Sequence, residues 1–358
     1  MMARALRVGE RGRGIATPNP HVGCVLVKDG RVLAEGWTQA GGRPHAEAQA
    51  LAACTGSPAG ATAYVTLEPC DGHAKARGPA CADLLAEAKV ARVVVAADDP
   101  FHGGNGYAKL RAAGIAVDSG LMAAEAAIAH RAFFSRVRRG RPWITLKVAT
   151  SLDGKTALAN GTSRWITGAA ARRDVHRLRA EACAVMTGIG TALVDDPQLT
   201  VRDYPTTRQP LRVLLDSRLD VRDGMKLLEG GNTLIITATG SESRHMELEA
   251  RGIEVLRVPV ESVKGKVDLA AMMQLLGARG LNQVLVETGT RMNASLVQAG
   301  VVDEVVQYVA PMYLGDASRG LLSLPEFTDL EQRIRLKVQD SRRVGEDWRI
   351  TALLEKKN

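Results

Sequence analysis

Short apolar runs separated by turn residues dominate the first 140 residues, and their periods predict strands and helices in alternation. Residues 22–27 (Val-Gly-Cys-Val-Leu-Val) and 31–36 (Arg-Val-Leu-Ala-Glu-Gly) flank Asp29-Gly30, a strong signal for a two-residue hairpin turn. A helix is expected from about His45, with Pro44 near its first turn. Residues 64–67 (Tyr-Val-Thr-Leu) read as a short buried strand running into Glu68-Pro69-Cys70, and Cys81-Ala-Asp-Leu-Leu-Ala-Glu-Ala opens a helical pattern. A strand at 92–97, a shorter one near Ile115 and a closing helical stretch over 123–138 complete an α/β/α layer sandwich.

The pattern begins again after Trp143. Residues 143–148 form a strand, and Ser151-Leu-Asp-Gly-Lys155 is a turn-rich loop after it. A helix over 169–182 carries Arg172, Arg173, Arg177 and Arg179. Strands follow at 184–187, 211–216, 233–237 and 283–287, separated by helical stretches, so the second half is also α/β. The last of these strands runs into Glu287-Thr288-Gly289 and a new helix. A glycine turn there can cradle phosphate through backbone N–H groups and the helix dipole, or it can simply cap and turn the chain. The boundary falls in Arg136-Val-Arg-Arg-Gly-Arg-Pro142, giving domains at 1–141 and 142–358, with the arginines read as a solvated linker in preference to a nucleic-acid arm.

A chain of 358 residues exceeds the usual single core, so two domains agree with its length. Hydrophobic content of 46% with only 4% aromatics describes a globular, mainly aliphatic interior and excludes a disordered chain. No segment reaches the length of an apolar membrane span, and the first ten residues lack a signal-peptide core; a cytoplasmic location is expected. Five cysteines are too few and too uneven for a disulfide framework, which leaves Cys24, Cys54 and Cys183 as expected buried thiols. The net charge of +8 suits anionic ligands, among them phosphorylated metabolites and dinucleotides as well as nucleic acid.

The remaining two cysteines carry chemistry. Hydrolytic zinc sites keep three protein ligands and one open position, and His45, Cys70 and Cys81 can supply the three. Glu47 lies two residues past the histidine, on another side of a helical turn, so it need not bind metal and can move protons. This is the division of labour of nucleobase deaminases, in which zinc makes hydroxide available and a carboxylate carries a proton to the departing amine. Ten residues, Asp71 to Ala80, separate the cysteines where the general deaminase signature has two. Cys81 at a helix start is a favourable thiolate position. His73, inside the long interval, is an alternative ligand or a contact for substrate or solvent.

Motifs along nearly the whole chain resemble one family. They are Thr17-Pro-Asn-Pro-His-Val-Gly23, Pro44-His-Ala-Glu47, Tyr64-Val-Thr-Leu-Glu-Pro-Cys70, Ser151-Leu-Asp-Gly-Lys155, Ser163-Arg-Trp-Ile-Thr167, Ala171-Arg-Arg-Asp174, Thr191-Ala-Leu-Val-Asp-Asp-Pro197 and Val286-Glu-Thr-Gly289. In this order they resemble the bifunctional riboflavin-biosynthesis enzymes, a diaminohydroxyphosphoribosylaminopyrimidine deaminase fused to a 5-amino-6-(5-phosphoribosylamino)uracil reductase. The resemblance implies a cytidine-deaminase-like α/β/α domain followed by a dihydrofolate-reductase-like α/β domain, with zinc and NADPH as cofactors.

By position, the resemblance puts the zinc ligands on His45, Cys70 and Cys81 and the proton donor on Glu47. It puts cofactor contacts on Ala149, Trp165, Thr191, Asp195 and Ser217 and on the loop Gly289, Thr290, Arg291, Met292, Asn293, Ala294 and Ser295. Substrate contacts fall on Ser163, Arg179, Leu199, Arg202 and Glu287. The two arginines suit a phosphoribosylated pyrimidine, because guanidinium binds phosphate through paired hydrogen bonds. Trp165 taken alone would be core packing. The general acid of the reduction is open among Lys155, Asp195 and Glu287. A homo-oligomer, dimer or tetramer, is expected, with neither nucleic acid nor membrane as partner.

Two departures from the family pattern stand out. The stretch between the cysteines is longer than the family's, and Phe101-His-Gly-Gly-Asn-Gly106 is shorter than its counterpart. The two loops are expected to be neighbours over the deaminase pocket, compensating each other in length. Rival readings are a transfer-RNA-type deaminase, a non-catalytic regulatory protein, and a pterin or folate reductase with an accessory domain. RNA binding that weakens steeply with salt would mark the first, and titration with NADPH and dihydrofolate would separate the last.

Overall fold

Alternation at Cys24-Val25-Leu26-Val27 organises the first sheet, since successive side chains on a strand point to opposite faces and all four are buried. The computed structural model describes residues 1–72, 78–261 and 265–355 and divides into two units, Met1–Gly140 and Arg141–Asn358. The first runs α1 (Met2–Gly9), β1 (Gly23–Lys28), β2 (Arg31–Trp37), α2 (Ala46–Ala52), β3 (Thr62–Val65), α3 (Cys81–Glu87), β4 (Arg92–Val95), α4 (Asn105–Ala112), β5 (Ala116–Ser119), α5 (Ala123–Ala129) and α6 (Arg131–Arg139). Strand order is β2-β1-β3-β4-β5, with β1 antiparallel to both neighbours and β3, β4 and β5 parallel.

Cys24 and Leu26 pack with Ala46 and Ala50 of α2, Ala82 and Leu85 of α3, and Tyr107 and Leu110 of α4. Val25 and Val27 face Met2 and Ala5 of α1 and Ala126 of α5. The result is the three-layer α/β/α arrangement the sequence suggests. Helices this short are marginal alone and persist because one face is buried against the sheet. Neither α1 nor α4 is apparent from periodicity, and α4 carries Gly106 in its first turn, where sequence reads as loop. The closing helix is two helices, parted at His130, whose φ of −94° and ψ of 7° leave the helical region.

The second unit runs β6 (Trp143–Ser151), β7 (Lys155–Ala157), α7 (Ala169–Glu181), β8 (Ala184–Gly188), α8 (Ile189–Asp195), β9 (Leu211–Leu215), β10 (Thr233–Thr237), α9 (Glu242–Ala250) and β11 (Glu254–Arg257). It continues through β12 (Val260–Glu261), β13 (Lys266–Val267), α10 (Leu269–Ala278), β14 (Gln283–Val286), α11 (Thr290–Gln298), β15 (Glu304–Ala310), β16 (Arg319–Gly320), β17 (Leu336–Val344) and β18 (Asp347–Leu354). Among the described residues its main sheet has nine strands in the order β11-β10-β9-β8-β14-β6-β15-β18-β17. The first seven are parallel and the last two antiparallel. Strands β8 and β10 are buried at every position, as strands covered on both faces must be. Met272, Met273 and Leu276 of α10 and Leu296 of α11 cover one face, and Ala171, Val175 and Leu178 of α7 cover the other.

Two expectations are corrected. Cys24 and Cys183 are buried thiols, but Cys54 is only half-buried, beyond the end of α2. The arginines near the boundary are not a solvated linker. Arg136 and Arg138 lie over the rings of Phe133 and Phe134, and Arg141 makes a two-point pair with Asp303 at 2.9 Å on both oxygens. Packing against aromatic faces and a buried carboxylate holds them to the folded units.

Candidate active sites

In the first unit, β3 ends at Val65 and the chain continues through Thr66 to Cys70, while α3 begins at Cys81. These two segments and His45 bring one nitrogen and two sulfurs within 4.8 Å of one another, the metal-capable cluster found among the described residues. His45 Nδ1 lies 3.3 Å from Cys81 Sγ and 3.6 Å from Cys70 Sγ. Zinc bonds of about 2.3 Å to sulfur and about 2.05 Å to nitrogen, at a tetrahedral angle, would place such atoms about 3.5 Å apart. The donor set therefore fits zinc without rearrangement.

The protonation of the two thiols points the same way. Cys70 is drawn down to about 4, first by a hydrogen bond from Cys81 and then, against its own burial, by His45. Cys81 is pushed up by that same bond and by burial. A hydrogen bond joins the two sulfurs at the place where a cation could stand. The Cys81 backbone N–H also donates to Cys70 Sγ at 3.3 Å, as expected at a helix start.

His45 is not in the helix. It caps α2 with extended backbone (φ −69°, ψ 165°), and Glu47 sits in the first turn. Both side chains therefore turn toward the sulfurs, instead of lying on different sides of a helical turn as the spacing suggests. Glu47 is 3% exposed and hydrogen-bonded with Cys81. Burial raises its carboxyl above the ordinary range, with the Cys70 thiolate adding to the rise and His45 opposing it.

Sequence reasoning quoted Asn19 within a motif but assigned it no role. Its Nδ2 lies 3.2 Å from His45 Nε2 and donates to the Gly42 carbonyl at 3.0 Å, which leaves Nδ1 to face the sulfurs. Gly42 has φ +89°, and a Cβ there would stand 2.6 Å from Asn19, so only glycine permits the approach. The Asn-Pro pair in the motif is the signal that could have found it. The two loops of altered length do meet: His102 Nδ1 lies 3.1 Å from Asp71 Oδ1. His73, the alternative ligand, lies outside the described residues.

In the second unit, strands β8, β14 and β6 are adjacent, so the segments leaving their carboxyl ends converge, the usual place for ligands in parallel sheets. A cleft of about 1320 Å³ opens there. Of the expected cofactor contacts, Ala149, Trp165, Thr191, Asp195 and residues Gly289, Thr290, Arg291, Met292 and Asn293 line it. So do all the expected substrate contacts, Ser163, Arg179, Leu199, Arg202 and Glu287. Ser217, Ala294 and Ser295 do not line it. Ser217 Oγ accepts from Val267 N–H at 3.4 Å, Ala294 is 2% exposed in the core, and Ser295 Oγ donates to the Arg291 carbonyl. The N-termini of α8 and α11 both open on the cleft, and a Cβ on Gly289 would lie 3.4 Å from Thr191 Oγ1. Trp165 is 68% exposed, so it is not core packing; Arg172 stacks on its ring at 4.6 Å.

Glu287 is the electrostatic centre of the cleft. Arg179 grips it at two points, Nε to Oε1 at 2.6 Å and Nη2 to Oε2 at 3.0 Å, and Lys147 Nζ stands 3.7 Å away. Burial alone would raise its pKa, but Arg179 and Lys147 bring it down to about 2. The pairing favours its ionised form in the cleft. Arg179, with a third donor on the Thr200 carbonyl, is largely committed to this pair, whereas Arg202 is exposed and its guanidinium meets only Gln198 among the described residues, its backbone N–H going to His176 Nδ1 at 3.3 Å. Lys155 does not line the cleft; its ammonium donates to the Asp316 carbonyl at 3.2 Å. Lys147, which sequence reasoning missed, does line it. It sits inside an ordinary strand pattern and carries no local signal.

Comparison with known proteins adds the family context. Residues 142–350 match the RibD C-terminal domain family, and residues 1–97 match the cytidine and deoxycytidylate deaminase zinc-binding region. The chain is 43% identical over 360 residues to the riboflavin biosynthesis protein RibD of Escherichia coli, covering 97% of this chain and 96% of the relative. It is 39% identical over 364 residues to RibD of Haemophilus influenzae, covering 98% and 95%. Among solved structures it resembles Acinetobacter baumannii RibD with a TM-score of 0.90 at 37% identity, covering 99% and 98% of the two chains. The Thermotoga maritima diaminohydroxyphosphoribosylaminopyrimidine deaminase/5-amino-6-(5-phosphoribosylamino)uracil reductase gives 0.85 at 31% identity, covering 99% and 97%.

Proposed function

The chain belongs to the family of bifunctional riboflavin-biosynthesis deaminase/reductases, and from that membership we propose how its own residues divide the two reactions. The enzyme deaminates 2,5-diamino-6-(5-phosphoribosylamino)pyrimidin-4(3H)-one and then reduces the ribosyl side chain of 5-amino-6-(5-phosphoribosylamino)uracil to ribityl, using zinc and NADPH. Deamination falls to residues 1–141 and reduction to residues 142–358. The observation that carries the first assignment is the convergence of His45 Nδ1 with two thiols beside the buried carboxyl of Glu47.

His45, Cys70 and Cys81 hold the zinc. Bound there, zinc makes water acidic enough to serve as a nucleophile at neutral pH. Glu47, whose burial raises its affinity for a proton, would take one proton from such a water and give it to the ring nitrogen, then take the second from the hydroxyl added at the amino-bearing carbon and give it to the amino group, which leaves as ammonia. Asn19 holds the far side of the imidazole, so the ligand ring does not swing.

In the second domain NADPH supplies the hydride. The helix N-termini at Gly188 and Gly289 offer backbone N–H groups to its phosphates, and Trp165 gives an exposed aromatic face at the cleft. Arg202 faces the substrate phosphate. Glu287, whose ionised form Arg179 and Lys147 favour, accepts a hydrogen bond from the substrate. Lys147 lines the cleft 3.7 Å from Glu287 and is our choice of proton donor for the reduction, ahead of Asp195 and of Lys155, which does not line it.

The proposal extends to a cytoplasmic homo-oligomer, dimer or tetramer. No helix among the described residues is long and apolar enough to cross a membrane. The edge strand β17 is exposed along eight of its nine positions, which supports pairing with another copy; light scattering on the purified protein measures it. The division of labour is tested by Glu47→Gln. Zinc should be retained, ammonia release should fall by roughly two to four orders of magnitude, and reduction of the already deaminated ribotide should stay near wild type. Equal loss in both assays would refute the division.

A further inference from the structure

The cysteine ligands sit on separate segments, and what sets one against the other is not the metal cluster alone. Residues 68–71, which carry Cys70, are fastened to the segment 99–109 by five hydrogen bonds and one close backbone approach. The Glu68 carboxylate accepts backbone N–H groups from Asp99 at 3.3 Å, Gly104 at 3.2 Å and Gly106 at 2.9 Å. The backbone of Gly106 lies so close to Pro69 that a Cβ would come within 2.0 Å of the Pro69 carbonyl oxygen. Asp71, 4% exposed, is bound by His102 at 3.1 Å, and its carbonyl accepts Lys109 Nζ at 3.2 Å. Lys109 then reaches across to Asp83 at 2.7 Å, two residues into the helix that starts at Cys81.

We infer that segment 99–109 is a clasp that positions Cys70 relative to Cys81, with Glu68 as its buried post and Lys109 as the strap between the two cysteine arms. None of these residues touches the metal. They act through the ligands, so they are positioning residues, and the shortened 101–106 loop brings His102 onto the residue next to Cys70. Groups in this outer shell commonly change metal affinity ten- to a hundredfold when lost. The buried contacts of Glu68 and His102 carry more of that than the Lys109–Asp83 pair, whose side chains are 40% and 44% exposed. The inference rests on His45, Cys70 and Cys81 being the zinc ligands.

The full-length protein tests it with Zn²⁺ and a chelating competitor, and with Co²⁺ substitution. Wild type should bind one Zn²⁺; if it binds none, the ligand assignment fails and the clasp with it. Glu68→Gln places an amide against backbone donors and should weaken Zn²⁺ about ten- to a hundredfold while leaving NADPH-dependent reduction unchanged. His102→Ala should weaken it severalfold and broaden the Co²⁺ absorption bands. Lys109→Met should give a smaller loss, which Lys109→Arg restores. If wild type binds zinc and both His102→Ala and Lys109→Met keep its affinity within twofold and its Co²⁺ spectrum, the clasp is refuted, whether or not Glu68→Gln folds.

Discussion

Replacing Arg179 by methionine should expose how the reductase cleft is held together. In wild type the Glu287 carboxyl is kept at about 2, below its ordinary 4.5, and its side chain is only 13% exposed, so solvent screens the pair little. At about 1.4 kcal/mol per tenfold change in proton affinity, this contributes roughly 3 kcal/mol at neutral pH. The pKa is depressed, so the contribution is present above 4.5 and is lost as pH falls through 4.5 toward 2. Arg179→Met leaves a buried carboxylate with only Lys147 at 3.7 Å. Breaking such a pair costs about 3–5 kcal/mol. Trp143, Trp165 and Trp348 lie in the second unit, and urea unfolding followed by their fluorescence reads its stability. The variant should be less stable by about 3 kcal/mol at pH 7 and by about half that at pH 3. Arg179→Met/Glu287→Gln should recover part of the loss, because the carboxylate is no longer buried without its guanidinium, although Lys147 remains beside it. A loss under about 1 kcal/mol, equal at both pH values, would make the pair no stronger than a surface bridge and refute the reasoning.

Other outcomes follow from the same geometry. The purified protein should contain one zinc per chain, removed by chelation with loss of ammonia release but not of reduction; an active, metal-free preparation would overturn the ligand set. Cys81→Ser should lose metal, and if it does not while His73→Ala does, the third ligand is His73. Arg202→Ala should raise the KM for the deaminated ribotide roughly ten- to a hundredfold with ammonia release unchanged, as loss of a charge-assisted phosphate contact costs about 1.5–3 kcal/mol; unchanged kinetics would reduce Arg202 to a surface residue.

The candidate metal ligands were legible because their residue types are rare and chemically narrow: a histidine, two cysteines and a nearby glutamate have few other reasons to occur in that order. The buried parallel strands were legible because continuous aliphatic runs have no other place to go. Strand β17 was not, since Lys337, Gln339, Asp340, Arg342 and Arg343 alternate no hydrophobic face, and it is a strand only because β18 offers it a ladder of hydrogen bonds. Helix α4 was hidden by Gly106, whose presence is explained only by the backbone of Pro69 against it.

Sequence alone thus supplied most of the residue types of both candidate sites, though not Asn19 or Lys147. Tertiary structure decided what each group does. Arg179 and Glu287 stand 108 residues apart, and either could have met substrate; only their mutual grip across the cleft favours the ionised form of the glutamate. His45 and Glu47 are near neighbours in sequence, yet the cap of α2 aims both at the same two sulfurs. Residue identity limits the possible charges and donors, but burial, distance and the dielectric around a group set its protonation, and those exist only once distant segments have packed.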